Sequence, residues 1–277
     1  MGIKALFFDI DGTILNSRGI MNRPVYESLL RCRDKGLLIG IATARSGRIV
    51  FRDHEIPGGS EIFADRGIFY NGGSIFDRPN RFYQHLPIPG EIVSDLVSRI
   101  GAYGDDLQIA LQHDDLYHSF KYPMDDNELV GWGFRREEIR GFQPCCCLPT
   151  TKIIVFSGCS WGLISGDFTE LYEQLCRQFS DSVNIYLADS KRSIYIVSKY
   201  ATKGEAIGRI IQFYGIRPED VAVFGDDTPD MGMFDRFGHS IAMGNAQELL
   251  KEAASFITRS NDEDGVVYAL KDYLRIL

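Results

Sequence analysis

The stretch Lys4-Ala5-Leu6-Phe7-Phe8-Asp9-Ile10-Asp11-Gly12-Thr13 decides how the rest of the chain is read. Its apolar run ends abruptly at Asp9. An uninterrupted apolar run of this length is how a strand buried on both faces of a parallel sheet looks. Asp9 and Asp11 are two residues apart, so they point to the same side while the chain stays extended. Gly12 then permits a sharp exit. Two close carboxylates repel, so the pair calls for a cation or a shared proton. Open α/β sheets place ligands at the carboxyl ends of their strands, which is where these two acids stand.

Outward from this strand, both ends of the chain alternate strand and helix. Asn22 to Lys35 reads as a helix, with Asn22 as its cap, Pro24 in its first turn and Val25, Leu29 and Cys32 on one face. Leu37 to Ala42 reads as a second buried strand, ending at Thr43. A shorter strand is expected near Glu61 to Ala64, and Asn71-Gly72-Gly73 marks a tight hairpin turn. The rhythm returns after Ser193. Thr202 and Glu205 have the form of a capping box opening a helix to Tyr214. Val221 to Phe224 is a strand ending at Gly225-Asp226, and Ser240 to Ala242 is another. Asn245 and Glu248 form a second candidate capping box, Phe256 to Thr258 a last strand, and Val266 to Leu274 a closing amphipathic helix. The predicted fold class is α/β, with a doubly wound (Rossmann-like) parallel-sheet core. The middle segment reads instead as an inserted α+β domain with a mostly antiparallel sheet. The predicted boundaries are 1–84 and 191–277 for the two core segments and 85–190 for the insertion.

Composition limits the function classes. The 277 residues carry 30 Lys plus Arg and 38 Asp plus Glu, a net charge of −8, which argues against a nucleic-acid coat. No run approaches the ~20 apolar residues of a membrane helix. The first eight residues are too short and too soon acidic for a signal peptide, so a cytoplasmic protein without membrane partners is expected. Cys32, Cys145, Cys146, Cys147, Cys159 and Cys176 lack the spacing of a zinc clip and read as small buried hydrophobes.

Three further features join the first. Gly225-Asp226-Asp227-Thr228-Pro229-Asp230 also follows a buried strand. If the two strands are neighbours, Asp9, Asp11, Asp226 and Asp230 gather into an all-oxygen cluster that suits Mg²⁺ better than zinc. Thr43 ends its strand with a hydroxyl that suits a phosphoryl oxygen or a helix cap. Lys203 puts a cation in the first turn of a helix, against the macrodipole, which points to an anionic neighbour.

Taken in order, these motifs resemble those of the haloacid dehalogenase-like hydrolases, in particular the Cof-like phosphatases. Asp9-Ile10-Asp11-Gly12-Thr13 resembles their first motif and Ile41-Ala42-Thr43-Ala44-Arg45 their second. Lys203-Gly204 resembles the third, and Gly225-Asp226 through Asp230 the fourth. Asn71-Gly72, Ala242-Met243-Gly244-Asn245-Ala246 and Ser260-Asn261-Asp262-Glu263-Asp264-Gly265-Val266 resemble further Cof-type signatures. Two positions depart from the pattern: Ala44 stands where Gly is usual, and Pro229 where Asn is usual.

The resemblance implies a magnesium-dependent phosphatase of a small phosphorylated metabolite, such as a sugar phosphate. It implies Asp9 as nucleophile, forming an aspartyl-phosphate, and Asp11 as acid and base. Mg²⁺ would be held by Asp9, the Asp11 backbone carbonyl and Asp226, with Thr43 and Lys203 on the phosphate and Asp230 behind them. It implies that the inserted domain is a cap that closes over the site. A small phosphate ester is the expected partner, and the chain is expected to be a monomer or weak homo-oligomer. The motifs alone leave open a phosphotransferase or phosphomutase with the same intermediate, or a phosphate-binding non-enzyme in which Pro229 has cost the activity. Gln112-His113-Asp114-Asp115-Leu116-Tyr117-His118 reads as a strand-turn-strand rather than a metal cluster, Trp132 and Trp161 as core, and Arg45 as an outlying candidate for a substrate anion.

Overall fold

The computed structural model describes residues 2–51, 59–104, 106–114, 116–132, 134–157, 167–188 and 191–277. Two compact units emerge: Met1–Gln84 with Thr202–Leu277, and His85–Ala201. The strands before the insertion are β1 (Ala5–Phe8), β2 (Leu38–Ala42), β3 (Arg66–Phe69), β4 (Ser74–Asp77) and β5 (Phe82–His85). The second unit supplies β6 (Leu107–His113), β7 (Tyr117–Phe120), β8 (Ile139–Arg140), β9 (Lys152–Ser157), β10 (Val183–Ala188) and β11 (Ser193–Ser198). The chain then adds β12 (Val221–Gly225), β13 (His239–Ala242) and β14 (Phe256–Ile257).

The first unit is an eight-stranded sheet in the order β14-β13-β12-β1-β2-β3-β4-β5. Pairing is parallel from β14 to β3 and turns antiparallel between β3 and β4. Every residue of β1, β2 and β12 is buried, which is why these strands read as unbroken apolar runs. Phe8 and Phe224 stack at 4.7 Å across the β1–β12 pair. From β1 the chain passes to β2 on one side, and returns later to β12 on the other. The order therefore reverses at β1, and the crevice beyond its carboxyl end is the natural ligand position. The expected α/β core is present.

The second unit is a six-stranded, mostly antiparallel sheet in the order β10-β11-β9-β6-β7-β8. Helices Gly90–Tyr103 and Thr169–Phe179 each bury apolar side chains in its main core, Leu96 and Leu171 among them. A second cluster holds Trp132, Phe120, Phe134 and Phe156. His118 is fully buried and stacks on Phe134 at 4.0 Å, so it belongs to that cluster. No helix among the described residues is long and apolar enough to cross a membrane.

Several local expectations are corrected. Glu61 to Ala64 is not a strand: Gly59–Phe63 is helical, and the strand follows at Arg66. Asn22 sits at its helix's cap position but makes no side-chain cap; its amide is taken by Asn16 and Asp264. Thr202 accepts the Glu205 N–H at 3.2 Å, but the Glu205 carboxylate turns to Arg236, so only half the box forms. Asn245 is no cap at all; the helix Glu248–Ala253 starts after Gln247. The closing helix is α only over Gly265–Tyr268 and widens to a π-turn over Ala269–Tyr273. Cys32 and Cys145 are buried as expected, but Cys147 is exposed. Cys159, Trp161 and Asp115 lie outside the described residues.

Candidate functional site

Asp9 leaves β1 with its N–H bonded to the Phe224 carbonyl of β12 at 3.0 Å. That bond puts Asp9 beside Gly225-Asp226, so two loops more than two hundred residues apart share one sheet edge. Gly12 makes the turn with φ +74, and a Cβ there would lie 2.2 Å from Asp226 Oδ2. Both the backbone conformation and the missing side chain are therefore needed for the loop after Asp11 to lie against Asp226. Thr13 donates its hydroxyl to Asp226 Oδ1 at 3.0 Å. Thr13 stands in the first motif, but its hydroxyl has no partner that the local sequence reveals.

Lys203 is the first residue of its helix and is buried. Its Nζ donates to Asp9 Oδ1 at 2.7 Å and to Asp230 Oδ1 at 2.6 Å. The anionic neighbours inferred from its placement are these two carboxylates. Asp230 is held from the other side: its Oδ2 accepts the N–H groups of Asp226 at 3.0 Å and Asp227 at 3.1 Å. Pro229 occupies the first turn of the short 3₁₀ segment Thr228–Asp230. A missing N–H costs nothing there, and Asp230 still reaches Lys203.

One oxygen each from Asp9, Asp226 and Asp230 lie within 4.8 Å of one another. With all three carboxylates ionised, one ammonium would leave two negative charges in excess in a mostly buried pocket. Burial pushes the Asp9 carboxyl up to about 7, against the pull of Lys203 and with the push of Asp230 and Asp11. Burial, with Asp9 and Asp230, pushes Asp226 up to about 9. Burial alone would lower Lys203, but the charges of Asp230 and Asp9 outweigh it and hold the ammonium above its ordinary value. An all-oxygen donor set that, once ionised, has two charges uncompensated fits a hard divalent cation.

The Asp11 side chain is not drawn into this group. It is 57% exposed and forms a bidentate pair with Arg45, Nε to Oδ2 at 2.8 Å and Nη2 to Oδ1 at 2.6 Å. Of the four predicted carboxylates, Asp11 alone lies outside this group, and Arg45, an outlying candidate in the sequence, is its direct partner. Thr43 is buried at the end of β2, and its Oγ1 accepts the Arg45 N–H at 3.1 Å. It caps no helix; Ser46 does that for Gly47–Val50. Asn71, at the expected turn and in a Cof-type signature, adopts φ 55 and donates its N–H to the Thr43 carbonyl at 2.9 Å. The β3–β4 hairpin thereby braces the strand end that carries Thr43.

Comparison with known proteins identifies the family. A family model described as haloacid dehalogenase-like hydrolase matches residues 6–270. The 5-amino-6-(5-phospho-D-ribitylamino)uracil phosphatase YwtE of Bacillus subtilis is 27% identical over 303 residues, covering 98% of each chain. A putative bifunctional phosphatase/peptidyl-prolyl cis-trans isomerase of Streptococcus pyogenes is 26% identical, and this chain spans 54% of its length. Among solved structures, a sugar phosphatase of HAD subclass IIB superposes with a TM-score of 0.81 at 25% identity, covering 99% of this chain and 100% of that one. A haloacid dehalogenase-like hydrolase from Bacteroides thetaiotaomicron gives a TM-score of 0.76 at 25% identity, with 97% and 98% covered. The family match spans nearly the whole chain and runs through every motif that builds the sheet-edge cluster: the chain belongs to the haloacid dehalogenase-like hydrolases, in their Cof-like phosphatase branch.

Proposed function

We propose that this protein hydrolyses a small phosphorylated metabolite, a sugar phosphate or sugar-alcohol phosphate, in a Mg²⁺-dependent reaction through an aspartyl-phosphate at Asp9. The observation that carries this reading is the buried cluster of Asp9, Asp226, Asp230 and Lys203 at the carboxyl ends of β1 and β12. The substrate class is supported by two relatives whose names describe a phosphate ester on a sugar or a ribityl chain.

In this reading the Asp9 carboxylate attacks phosphorus as the ester P–O bond breaks. The leaving oxygen takes a proton from Asp11. Water then gives its proton back to Asp11 and attacks phosphorus, the Asp9–phosphorus bond breaks, and inorganic phosphate leaves. A Mg²⁺ held by Asp9, Asp226 and the Asp11 carbonyl would supply charge neutralisation for a carboxylate approaching a phosphate dianion. Lys203 orients Asp9 by one oxygen and offers positive charge to the transferring group. Asp230 keeps Lys203 in place. The Thr43 hydroxyl offers a donor to a phosphoryl oxygen. Arg45 pairs with Asp11, and a substrate dianion that drew off its guanidinium would free Asp11 for proton transfer.

A phosphate-release screen over sugar phosphates, nucleotides and cofactor phosphates, with and without Mg²⁺, tests the reading. Release that requires Mg²⁺ and no acceptor sugar is expected. No release from any ester, or equal release in a chelator, overturns it.

The raised carboxyl pKa values give a second test, of stability. Asp9 and Asp226 bind protons more tightly folded than unfolded, since about 7 and about 9 lie above the ordinary 3.8. The folded protein therefore holds protons that the unfolded chain has lost, and metal-free stability falls as pH rises from about 4 towards 9. A divalent cation takes the place of those protons. At about 100 times its Kd a bound ion adds about 2.7 kcal/mol, which is several degrees in Tm for a chain of this size. The Mg²⁺-induced rise in Tm is expected to be larger at pH 8.5 than at pH 6. Differential scanning fluorimetry in chelator and in Mg²⁺ across that range checks it; a rise that shrinks with pH contradicts it.

A further inference from the structure

Two stretches singled out in the sequence take no part in the chemistry above: Ala242 to Ala246 and Ser260 to Val266. Both converge on the loop that follows Asp11. Asn245 donates its Nδ2 to the Gly12 carbonyl at 2.9 Å and accepts the Asn261 N–H on its Oδ1 at 3.0 Å. The amide is held at both ends, so its orientation is fixed. Asn261 is buried and donates its own Nδ2 to the Leu15 carbonyl at 2.8 Å. Asp262 accepts the Ser17 N–H at 2.8 Å, and Asp264 accepts Asn22 Nδ2 at 2.9 Å. The loop is thus gripped at Gly12 by Asn245, and at Leu15, Ser17 and Asn22 by the short segment Asn261 to Asp264.

That segment is itself anchored. The Gly244 N–H donates to the Arg259 carbonyl at 2.9 Å, and a Cβ on Gly244 would lie 2.6 Å from the Ser260 nitrogen. The Thr258 hydroxyl donates to the Gly265 carbonyl at 2.6 Å within the interior. The grip therefore originates at the carboxyl ends of β13 and β14 and is applied to the peptide between Asp11 and Thr13. On one side of that peptide stands the proposed acid and base; on the other, Thr13 holds Asp226.

We propose that Asn245, backed by Asn261, is a positioning residue that fixes the Gly12 peptide and so aims Asp11 at the leaving group. Asn245, an exposed side chain, takes the carbonyl of the residue directly after Asp11, while Asn261, Asp262 and Asp264 hold the loop further along. This inference rests on the acid and base role read for Asp11 above.

The leaving group distinguishes positioning from general stability. An alkyl phosphate needs proton donation to its leaving oxygen; p-nitrophenyl phosphate, whose leaving group is a weak base, needs little. General acid catalysis is worth about 10²–10⁴-fold. Asn245→Ala, assayed with Mg²⁺ in the full-length protein by rapid-quench release of the leaving alcohol in the first turnover, ahead of the phosphoenzyme hydrolysis that both esters share, is expected to slow release from a sugar phosphate by about 30-fold or more and from p-nitrophenyl phosphate by no more than about 3-fold. Its Tm should stay within a few degrees. Asn245→Asp keeps the acceptor for Asn261 and loses the donor to Gly12, so it should show the same selectivity. In an Asp11→Asn background, Asn245→Ala should slow the sugar phosphate no further. If Asp11→Asn is slow on the sugar phosphate while Asn245→Ala slows both esters equally, or neither, the positioning role is wrong and the Asp11 role stands. If Asp11→Asn is as fast as the native protein on the sugar phosphate, the acid and base reading fails and takes this proposal with it.

Discussion

Asp9→Asn is expected to lower phosphate release by about 10⁴-fold or more, the scale on which loss of a catalytic nucleophile is felt. An amide at this position is nearly isosteric but cannot form the acyl-phosphate bond. The fold should survive the change. Burial already disfavours the charged Asp9 carboxylate, whose pKa is pushed up to about 7. Lys203 loses one of two carboxylates and keeps Asp230 at 2.6 Å. The excess negative charge of the pocket falls by one. The Tm of the metal-free variant at pH 8 should therefore lie within a few degrees of the native protein or above it, while activity disappears. Steady-state phosphate release together with a thermal melt checks both halves. An active Asp9→Asn protein removes the nucleophile from the mechanism; an unfolded one assigns Asp9 to stability instead.

Lys203→Met should damage both stability and activity. Lys203 is buried and bonds Asp9 and Asp230 at once. Removing one partner of a buried ion pair leaves uncompensated charge and typically costs about 3–5 kcal/mol. For a chain of this size that is a fall in Tm on the order of 10 °C. The sign with pH follows from the carboxylates left behind: the penalty grows as they ionise, so the loss should be larger at pH 8.5 than at pH 5. Asp230→Asn in the same background removes one stranded charge and should recover part of the lost stability. Thermal melts of the single and double variants at the two pH values measure this coupling. A single variant as stable as the native protein would show that the ion pairs carry little of the fold, and a double variant no better than the single one would separate Asp230 from Lys203.

The strands that frame the site are the elements most legible from the chain. β1, β2 and β12 are buried on both faces, and that burial writes unbroken apolar runs ending at Asp9, Thr43 and Asp226. Elements whose partners lie far away read less well. Asn22 and Asn245 each look like local helix caps, since a short polar side chain ahead of a helical pattern satisfies that rule. In the folded protein both amides are claimed by distant groups, Asp264 for Asn22 and the Gly12 carbonyl for Asn245. A local motif cannot reveal a competitor more than two hundred residues away. Glu61 to Ala64 fails for another reason: four mixed residues have too little periodicity to separate helix from strand. Arg45 is hard to rank from the chain because its partner is a loop carboxylate, and only the β1–β2 pairing brings the two strand ends together.

The covalent step at Asp9 can be observed directly. In Asp11→Asn protein the first transfer from p-nitrophenyl phosphate needs little acid, but hydrolysis of the phosphoenzyme lacks its base, so the intermediate should accumulate. Acid quenching within the first turnovers, followed by digestion and mass spectrometry, should place one phosphoryl group on the peptide carrying Asp9. That group should be absent when Mg²⁺ is withheld and absent from an Asp9→Asn/Asp11→Asn protein. Release of p-nitrophenol with no phosphoryl group on the protein, or with the group on a residue other than Asp9, would rule out the aspartyl-phosphate route.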